Sequence, residues 1–196
     1  MNQSYLALRN KIQEMMTLSD DEWNLLTPYL QEKKLPKNSL FATEGKVAKE
    51  IGFIINGNMR HYYTKDGEEK TTYFYFENHF VCDYISCISK KPGLLTIECL
   101  TDTTIVVFPY DKIWACYQES LNWSNFGRMM AEYLAAGLED RMSGLLLLSP
   151  EERYLQLLES NKQKILERIP QHLIANYLGI TPVSLSRIRN RIHQQK

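Results

Sequence analysis

Residues 171–190, QHLIANYLGITPVSLSRIRN, restrict the fold of this chain more than any other segment. A helix-turn-helix needs a small residue where its helices cross, a glycine in the turn and apolar residues where both helices face the core. Ala175 is the small residue, and Gly179 follows it in the turn. Thr181 and Pro182 are favoured as the cap and first residue of the second helix. The apolar positions are held by Ile174, Leu178, Ile180, Leu185 and Ile188.

The outer face of the second predicted helix is polar and basic. It carries Ser184, Arg187, Asn190 and Arg191, which an αα-hairpin packed inside a core would not explain. The whole chain has 23 Lys and Arg against 23 Asp and Glu, but residues 161–196 hold seven Lys or Arg and one Glu. A neutral chain with a basic C-terminal end suggests a separate module that binds a polyanion.

The middle of the chain is predicted to be an all-β module. Short β-rich runs separated by turn signals indicate an antiparallel sandwich, jelly roll or barrel. Asn56-Gly57 and Asp66-Gly67 each predict a two-residue hairpin, since a type I′ turn needs positive φ at both centres. Two short helices are expected before residue 31, the second opened by a capping box of Ser19 and Glu22. The predicted strands are 39–43, 51–55, 59–64, 71–76, 80–85, 94–100 and 103–108.

A long helix is predicted over residues 121–147. Its apolar side chains recur every three or four residues, which indicates either packing against the β module or a helix–helix dimer seam. We favour the seam, because little of the chain remains to cover so long a stripe. A new helix is expected to begin after Ser149, at a predicted domain boundary. The predicted dimer residues are Phe126, Met130, Leu134, Leu138, Met142 and Leu145.

With these parts placed, the whole chain resembles the Crp/Fnr superfamily of bacterial transcription regulators. Residues 100–103, LTDT, are similar to the strand that follows the family's phosphate-binding cassette, and residues 184–188, SLSRI, are similar to its recognition helix. The resemblance implies an α+β fold: an N-terminal antiparallel β-roll or jelly roll flanked by helices, a long dimerisation helix and a C-terminal, winged-helix-like helix-turn-helix domain. The expected domains are residues 1–120, with the β-roll at about 35–109, then 121–148 and 149–196. Because the chain ends soon after the second helix, we expect the family's C-terminal wing to be short or missing.

The resemblance also implies a function. We expect a homodimeric, sequence-specific DNA-binding transcription regulator that acts on a pseudo-palindromic site in the cytoplasm. Its expected partners are double-stranded DNA and a second copy of the chain, with RNA polymerase and an unidentified small-molecule effector as further candidates. Val183 stands where the family usually has a glutamate that accepts from cytosine. The candidate DNA-contacting residues are Gln171, His172, Thr181, Val183, Ser184, Ser186, Arg187, Asn190 and Arg191.

The cassette departs from the nucleotide-binding pattern. Where nucleotide-binding members have a glycine, a Gly-Glu pair and an Arg-Ser pair, this chain has Asn78, then Cys82-Asp83, then Gly93-Leu94. These five residues are the candidate effector pocket. A buried phosphodiester would lack the arginine that pairs with it, so we expect an effector other than cyclic AMP.

Other functions are less well supported. An enzyme on a cupin-like barrel would need clustered metal ligands such as a His-x-His pair, and none of His61, His79, His172 and His193 forms one. We therefore predict no catalytic site, bound metal or cofactor, although haem binding at a lone histidine stays open. Nothing in the sequence resembles a membrane span or a signal peptide. The alternative we retain is a ligand-binding or interaction module on the same fold, with weak or no specific DNA binding.

Overall fold

A computed structural model of the chain describes residues 2–159 and 163–194. It divides into two compact units. Unit 1 contains Met1–His61 and Phe74–Leu134, and unit 2 contains Tyr62–Tyr73 and Ala135–Lys196. Each unit therefore takes two separate stretches of the chain. No helix in the described part of the chain is long and apolar enough to cross a membrane.

Unit 1 begins with two helices, as predicted. They are α1, Gln3–Gln13, and α2, Asp20–Leu26, which continues into a 3₁₀ turn over Thr27–Tyr29. The predicted capping box is confirmed, since the Ser19 hydroxyl accepts from the Glu22 amide and the Glu22 carboxylate accepts from the Ser19 amide. It satisfies two backbone groups that the first turn of a helix leaves without partners.

Eight strands form two four-stranded sheets among the described residues. The first sheet has the order β1-β8-β3-β6 and the second β2-β7-β4-β5. β1 and β6 form the edges of the first sheet, and β2 and β5 those of the second. The pairings of β1 with β8, β8 with β3, β3 with β6 and β2 with β7 are antiparallel, which agrees with the predicted jelly roll. The strands are Gln31–Leu35, Leu40–Ala42, Glu50–Asn56, Met59–Lys65, Glu68–Tyr75, Phe80–Val81, Leu95–Cys99 and Thr103–Pro109, numbered β1 to β8 in chain order.

The two predicted hairpins have different outcomes. β4 and β5 are neighbours, and Asp66 and Gly67 have φ of 53° and 80°, as the predicted turn requires. The hairpin at Asn56-Gly57 is wrong, because β3 and β4 belong to different sheets. Gly57 still needs its positive φ of 104°, and a Cβ there would lie 2.5 Å from the Thr103 hydroxyl. Asn56 ends β3 without a positive φ, so the predicted type I′ turn is absent and only the requirement for glycine at position 57 holds.

Two predicted element boundaries also need correction. The strand over 80–85 is only Phe80–Val81, because Asp83 caps a helix, α3, over Tyr84–Ser89. The first strand, β1, lies before the residue where the β module was expected to begin, and it is almost entirely polar. It pairs along one edge with β8, so backbone hydrogen bonds rather than burial hold it in place.

The core of unit 1 has two parts, one on each face of β8. Ile105 and Val107 join a cluster with Ile54, Met59 and Ile97, whereas Val106 and Phe108 join one with helical residues. Because both faces of β8 are buried, its sequence TTIVVFP shows no apolar–polar alternation. The helical cluster includes residues of α4, Tyr110–Glu119, and of the following long helix.

The long helix, α5, spans Leu121–Leu147, as predicted. Its first part lies in the core of unit 1, where Trp123 is fully buried and Phe126 is 4% exposed. Unit 2 contains the end of α5, the tip of the β4–β5 hairpin and four further helices. These are α6, Pro150–Glu159, α7, Gln163–Arg168, α8, Gln171–Tyr177, and α9, Pro182–Gln194. Only α7 was not predicted.

Candidate nucleic-acid interface and effector cassette

The predicted helix-turn-helix is formed by α8 and α9. Gly179 has a φ of 72°, and the Ile180 amide donates to the Ala175 carbonyl at 2.9 Å, which closes the turn. A Cβ at Gly179 would meet nothing closer than 3.8 Å. The glycine is therefore required by its left-handed backbone and not by crowding. Of the predicted inward positions, Ile174, Leu178, Leu185 and Ile188 are buried, as is Ala175, whereas Ile180 is half-buried.

The start of α9 is capped by the residue that the sequence indicates. The Thr181 hydroxyl accepts from the Ser184 amide at 3.2 Å and lies 3.0 Å from the Ser184 hydroxyl. Both hydroxyls therefore already have a partner in the cap. A base or phosphate that approached them would share these bonds rather than find free groups.

The outward face of α9 is open to solvent. Val183 is 61% exposed, and Ser186, Arg187, Asn190 and Arg191 are also exposed, whereas Ser184 is half-buried. Arg191 forms an ion pair with Glu151 of α6 at 3.0 Å. Arg187 forms no such pair in the part of the chain that the structure describes. Of the two arginines on this face, Arg187 is the more available for an external acceptor.

The two candidates on α8 lie at its beginning. Gln171 and His172 occupy its first two positions, directly after Pro170, and both are exposed. Leu173 and Ile174, which follow, are buried. Because Leu173 and Ile174 turn one face of α8 toward the core, Gln171 and His172 face solvent at the start of the helix.

The effector cassette is built around a buried carboxylate. Asp83 is 3% exposed, and its Oδ1 accepts from the Ser86 amide at 3.1 Å, which caps α3. Gly93 packs against the other oxygen, because a Cβ at this position would lie 1.8 Å from Asp83 Oδ2. The backbone of Gly93 also bonds to Gly45 and Lys46 at 2.8 and 2.9 Å. Two of the five candidate pocket residues, Asp83 and Gly93, are thus in direct contact.

The remaining cassette residues have different surroundings. Asn78 has a φ of 69° and its amide donates to the Ile54 carbonyl, so it serves a tight turn after β5. Burial raises the pKa of the Cys82 thiol, which keeps that group neutral. Leu94 is 75% exposed. The cassette positions therefore supply one carboxylate and no cation.

Comparison with known proteins identifies the architecture. Residues 32–120 match the family model of the cyclic nucleotide-binding domain. FixK2 from Bradyrhizobium japonicum has a similar structure, with a TM-score of 0.71 at 20% identity over 85% of each chain. The chain has the Crp/Fnr fold. A CooA mutant from Carboxydothermus hydrogenoformans and the Thermus thermophilus catabolite activator protein give TM-scores of 0.65 and 0.57 at 18% and 17% identity.

These matches cover most of the chain. The CooA match spans 85% of this chain and 77% of the other, and the catabolite activator match spans 94% and 87%. No curated protein matches by sequence. The resemblance inferred from the sequence and the α+β fold class are therefore confirmed at the level of fold, with a cyclic nucleotide-binding domain as the N-terminal part.

Within the Crp/Fnr fold, the second part of α5 carries a row of exposed apolar side chains. Leu134, Leu138, Met142 and Leu145 are 38%, 57%, 52% and 43% exposed. Phe126 differs, because it packs against Phe80 and Trp123 in the core of unit 1, and Met130 packs against the same core. We therefore remove Phe126 from the predicted seam and place its centre at Leu138.

Two arginines that the sequence did not indicate hold the end of α8. Arg141 of α5 lies 4.0 Å from the centre of the Tyr177 ring and donates to the Tyr177 carbonyl. Arg153 of α6 donates to the Leu178 carbonyl at 3.1 Å and to the Leu148 carbonyl at 2.7 Å. Burial lowers the pKa of Arg141. These cations satisfy carbonyls that the helix end leaves open, a contact between distant segments that no local sequence pattern marks.

Proposed function

We propose that this chain is a homodimeric, sequence-specific DNA-binding transcription regulator of the Crp/Fnr type whose effector is not cyclic AMP. The observation that carries the proposal is the outward face of α9. A capped helix with Arg187 and Asn190 exposed, on the second helix of a helix-turn-helix, has the shape and donors that major-groove recognition needs.

The charge of the chain supports the same function. Residues 161–196, which include α8 and α9, hold seven Lys or Arg against one Glu, whereas the chain as a whole is neutral. Phosphate contacts supply much of the affinity of DNA-binding proteins, whereas contacts to base edges supply specificity. We assign Gln171 and His172 to phosphate contact and Arg187 to a bidentate contact with guanine.

The exposed apolar row of α5 supports the proposed homodimer. Four neighbouring apolar side chains would form a patch that soluble monomers seldom leave open to water. In a two-fold dimer, the two α9 helices meet half-sites about one helical turn, roughly 34 Å, apart. We therefore expect a pseudo-palindromic site, cytoplasmic action, and RNA polymerase and a small-molecule effector as further partners.

The effector is proposed to differ from cyclic AMP because the cassette has no arginine or lysine at the positions of the phosphate ligands. The buried Asp83 carboxylate, packed against Gly93, also occupies part of the cassette. A second anion placed against that carboxylate would be repelled unless a cation accompanied it.

The test is DNA binding by variants of α9. Arg187→Ala is expected to weaken binding to the preferred site by about 1–3 kcal/mol, because it removes a bidentate base contact. Arg189→Ala is the matched control. Arg189 is also exposed on α9, but it is four residues after the buried Leu185 and therefore lies on that side of the helix, away from the outward face of Arg187. Equal losses for both variants in a fluorescence anisotropy titration would contradict the assignment of Arg187 to base recognition.

A further inference from the structure

One apolar side chain stands in the middle of the outward face of α9. Val183 is the second residue of the helix, and it is 61% exposed. Because residues 183, 187 and 190 are spaced by four and three, Val183, Arg187 and Asn190 form one row along the helix. The buried Leu185 and Ile188 lie on the opposite side. Val183 is therefore directed away from the core of unit 2, in line with the arginine assigned to guanine.

The polar side chains in the first turn of α9 are already engaged. The Thr181 hydroxyl accepts from the Ser184 amide and lies 3.0 Å from the Ser184 hydroxyl. Ser184 is also half-buried, and Pro182 has no amide hydrogen to donate. This turn therefore presents outward the two methyl groups of Val183, and a contact between them and a base has to be apolar.

Thymine is the one base that carries an apolar group in the major groove of unmodified DNA. It has the C5-methyl group, whereas adenine, guanine and cytosine present only hydrogen-bond donors and acceptors there. A valine placed against such a donor or acceptor would remove water from it without replacing the hydrogen bond, which costs free energy. A contact with Val183 therefore favours thymine over the other three bases.

We propose that Val183 is a specificity-determining residue that recognises a thymine through its C5-methyl group. The inference rests on the proposed DNA-binding function and names one base of the site. The N-terminal residues of the second helix of a helix-turn-helix contact base edges, and Val183 lies in that part of α9. A single exposed apolar residue is common on protein surfaces, but this one shares its row with the residue assigned to guanine.

The spacing of the row gives the expected position of this thymine. Val183 and Arg187 are four residues apart, which is about 6 Å along the helix axis. Base pairs stack about 3.4 Å apart. The thymine is therefore expected within about two base pairs of the guanine that Arg187 contacts, in each half-site.

Removal of the methyl group from the DNA tests the inference without a change to the protein. The probe is the duplex that the wild type selects from random DNA, with each thymine of a half-site replaced in turn by deoxyuridine. One such replacement is expected to weaken wild-type binding about fourfold, because it removes the burial of one methyl group, and the same replacement in both half-sites about fifteenfold. Fluorescence anisotropy measures each affinity.

Val183→Ala shows whether this side chain makes the contact. The variant is expected to bind the thymine and deoxyuridine duplexes with less than about a twofold difference, because the two methyl groups of the valine are gone. Val47→Ala is the matched control. Val47 is a 39% exposed valine in unit 1, so this variant should keep the full fourfold difference. Should Val183→Ala not fold, as judged by circular dichroism, Val183→Ser takes its place with the same expectation.

5-Methylcytosine separates the methyl group from the shape of the A·T pair. With cytosine in place of the assigned thymine, the wild type is expected to bind more weakly. With 5-methylcytosine at that position it should bind about fourfold more tightly than with cytosine, because the methyl group is again present in the major groove. A loss with deoxyuridine and no gain with 5-methylcytosine would assign the preference to the shape of the duplex and overturn the inference.

The outcomes separate this inference from the proposed function. If the wild type selects no palindrome, the proposed function fails, and the inference fails with it. If the wild type selects a palindrome but no thymine of its half-sites responds to deoxyuridine, the function stands and the inference is overturned. Equal responses of Val183→Ala and the wild type to deoxyuridine also overturn it, because another group then contacts the methyl. A response that the wild type and Val47→Ala share and Val183→Ala lacks supports both.

Discussion

At the scale of single residues, Glu22 joins two helices of unit 1. Its carboxylate accepts from Ser120 at 2.5 Å and from Asn122 at 3.0 Å, in addition to its bonds in the capping box, and its carbonyl accepts from the Trp123 indole at 3.0 Å. The hydrogen bond from Ser120 is the main reason why the pKa of Glu22 is lowered to about 2. One surface carboxylate therefore ties α2 to the beginning of α5.

Glu22→Gln is expected to lower the free energy of unfolding by about 1 kcal/mol at pH 7, after allowance for solvent screening. Because the folded pKa lies below the usual value, this stabilisation is complete above about pH 4.5 and is lost as the pH falls toward about 2. Urea titrations at several pH values measure it, with Glu119→Gln, an exposed carboxylate at the end of α4, as control. A difference between Glu22→Gln and the wild type that persists at pH 2 would contradict the account.

His61 is a second residue whose protonation is linked to folding. Burial lowers its pKa to about 4, so the unfolded chain binds the proton more readily between about pH 6.5 and 4. The wild type is therefore expected to lose about 1–2 kcal/mol of stability between pH 7 and pH 5 through this group alone. His61→Gln should remove that part of the pH dependence, whereas His172→Gln, at an exposed histidine, should retain it. If the free energy of unfolding of His61→Gln changes with pH by the same amount as that of the wild type, the assignment is wrong.

At the scale of elements, the sequence was most informative where the determining contacts are local. The helix-turn-helix depends on a small residue, a glycine and a cap within twenty residues, and each of these is visible in the chain. The turn at Asn56-Gly57 was also visible, but the sheet that β4 joins is decided by burial against distant strands. Arg141 and Arg153 act across long sequence separations, which is why no local pattern indicated them.

The exposed row of α5 gives a prediction for this element. Leu138→Asp should convert a dimer into a monomer, because a buried aspartate at the centre of an apolar seam would lack a partner. Leu121→Asp is the control, since Leu121 is 78% exposed at the other end of the same helix. Sedimentation velocity at tens of micromolar reports the state of each protein. A wild type that sediments as a monomer would contradict the seam.

The cassette is the element that gives a prediction about the effector. Cyclic AMP is expected to bind weakly or not at all, because each missing charged hydrogen bond is worth about 1.5–3 kcal/mol. Titration calorimetry measures this directly. Restoring the family's pair with Gly93→Arg and Leu94→Ser would place a large side chain against Asp83, so we expect no rescue from these two changes alone. Binding of cyclic AMP at micromolar or lower concentration would contradict the interpretation of the cassette.

At the scale of the whole molecule, the net charge is zero, but the charge is unevenly distributed along the chain. The C-terminal residues that include α8 and α9 are basic, and the residues before them are acidic in balance. The β-roll, the α5 row and the helix-turn-helix occur in the order of the Crp/Fnr fold. Together these features support a dimer that presents two copies of α9 to DNA.

Selection from random double-stranded DNA tests this central claim most directly. The account predicts an enriched pseudo-palindrome with half-sites about one helical turn apart, and a consensus that relaxes at one base pair of each half-site when Arg187 is changed to Ala. Arg189→Ala should return the wild-type consensus. No enriched palindrome, or the same consensus from Arg187→Ala as from the wild type, would contradict the account.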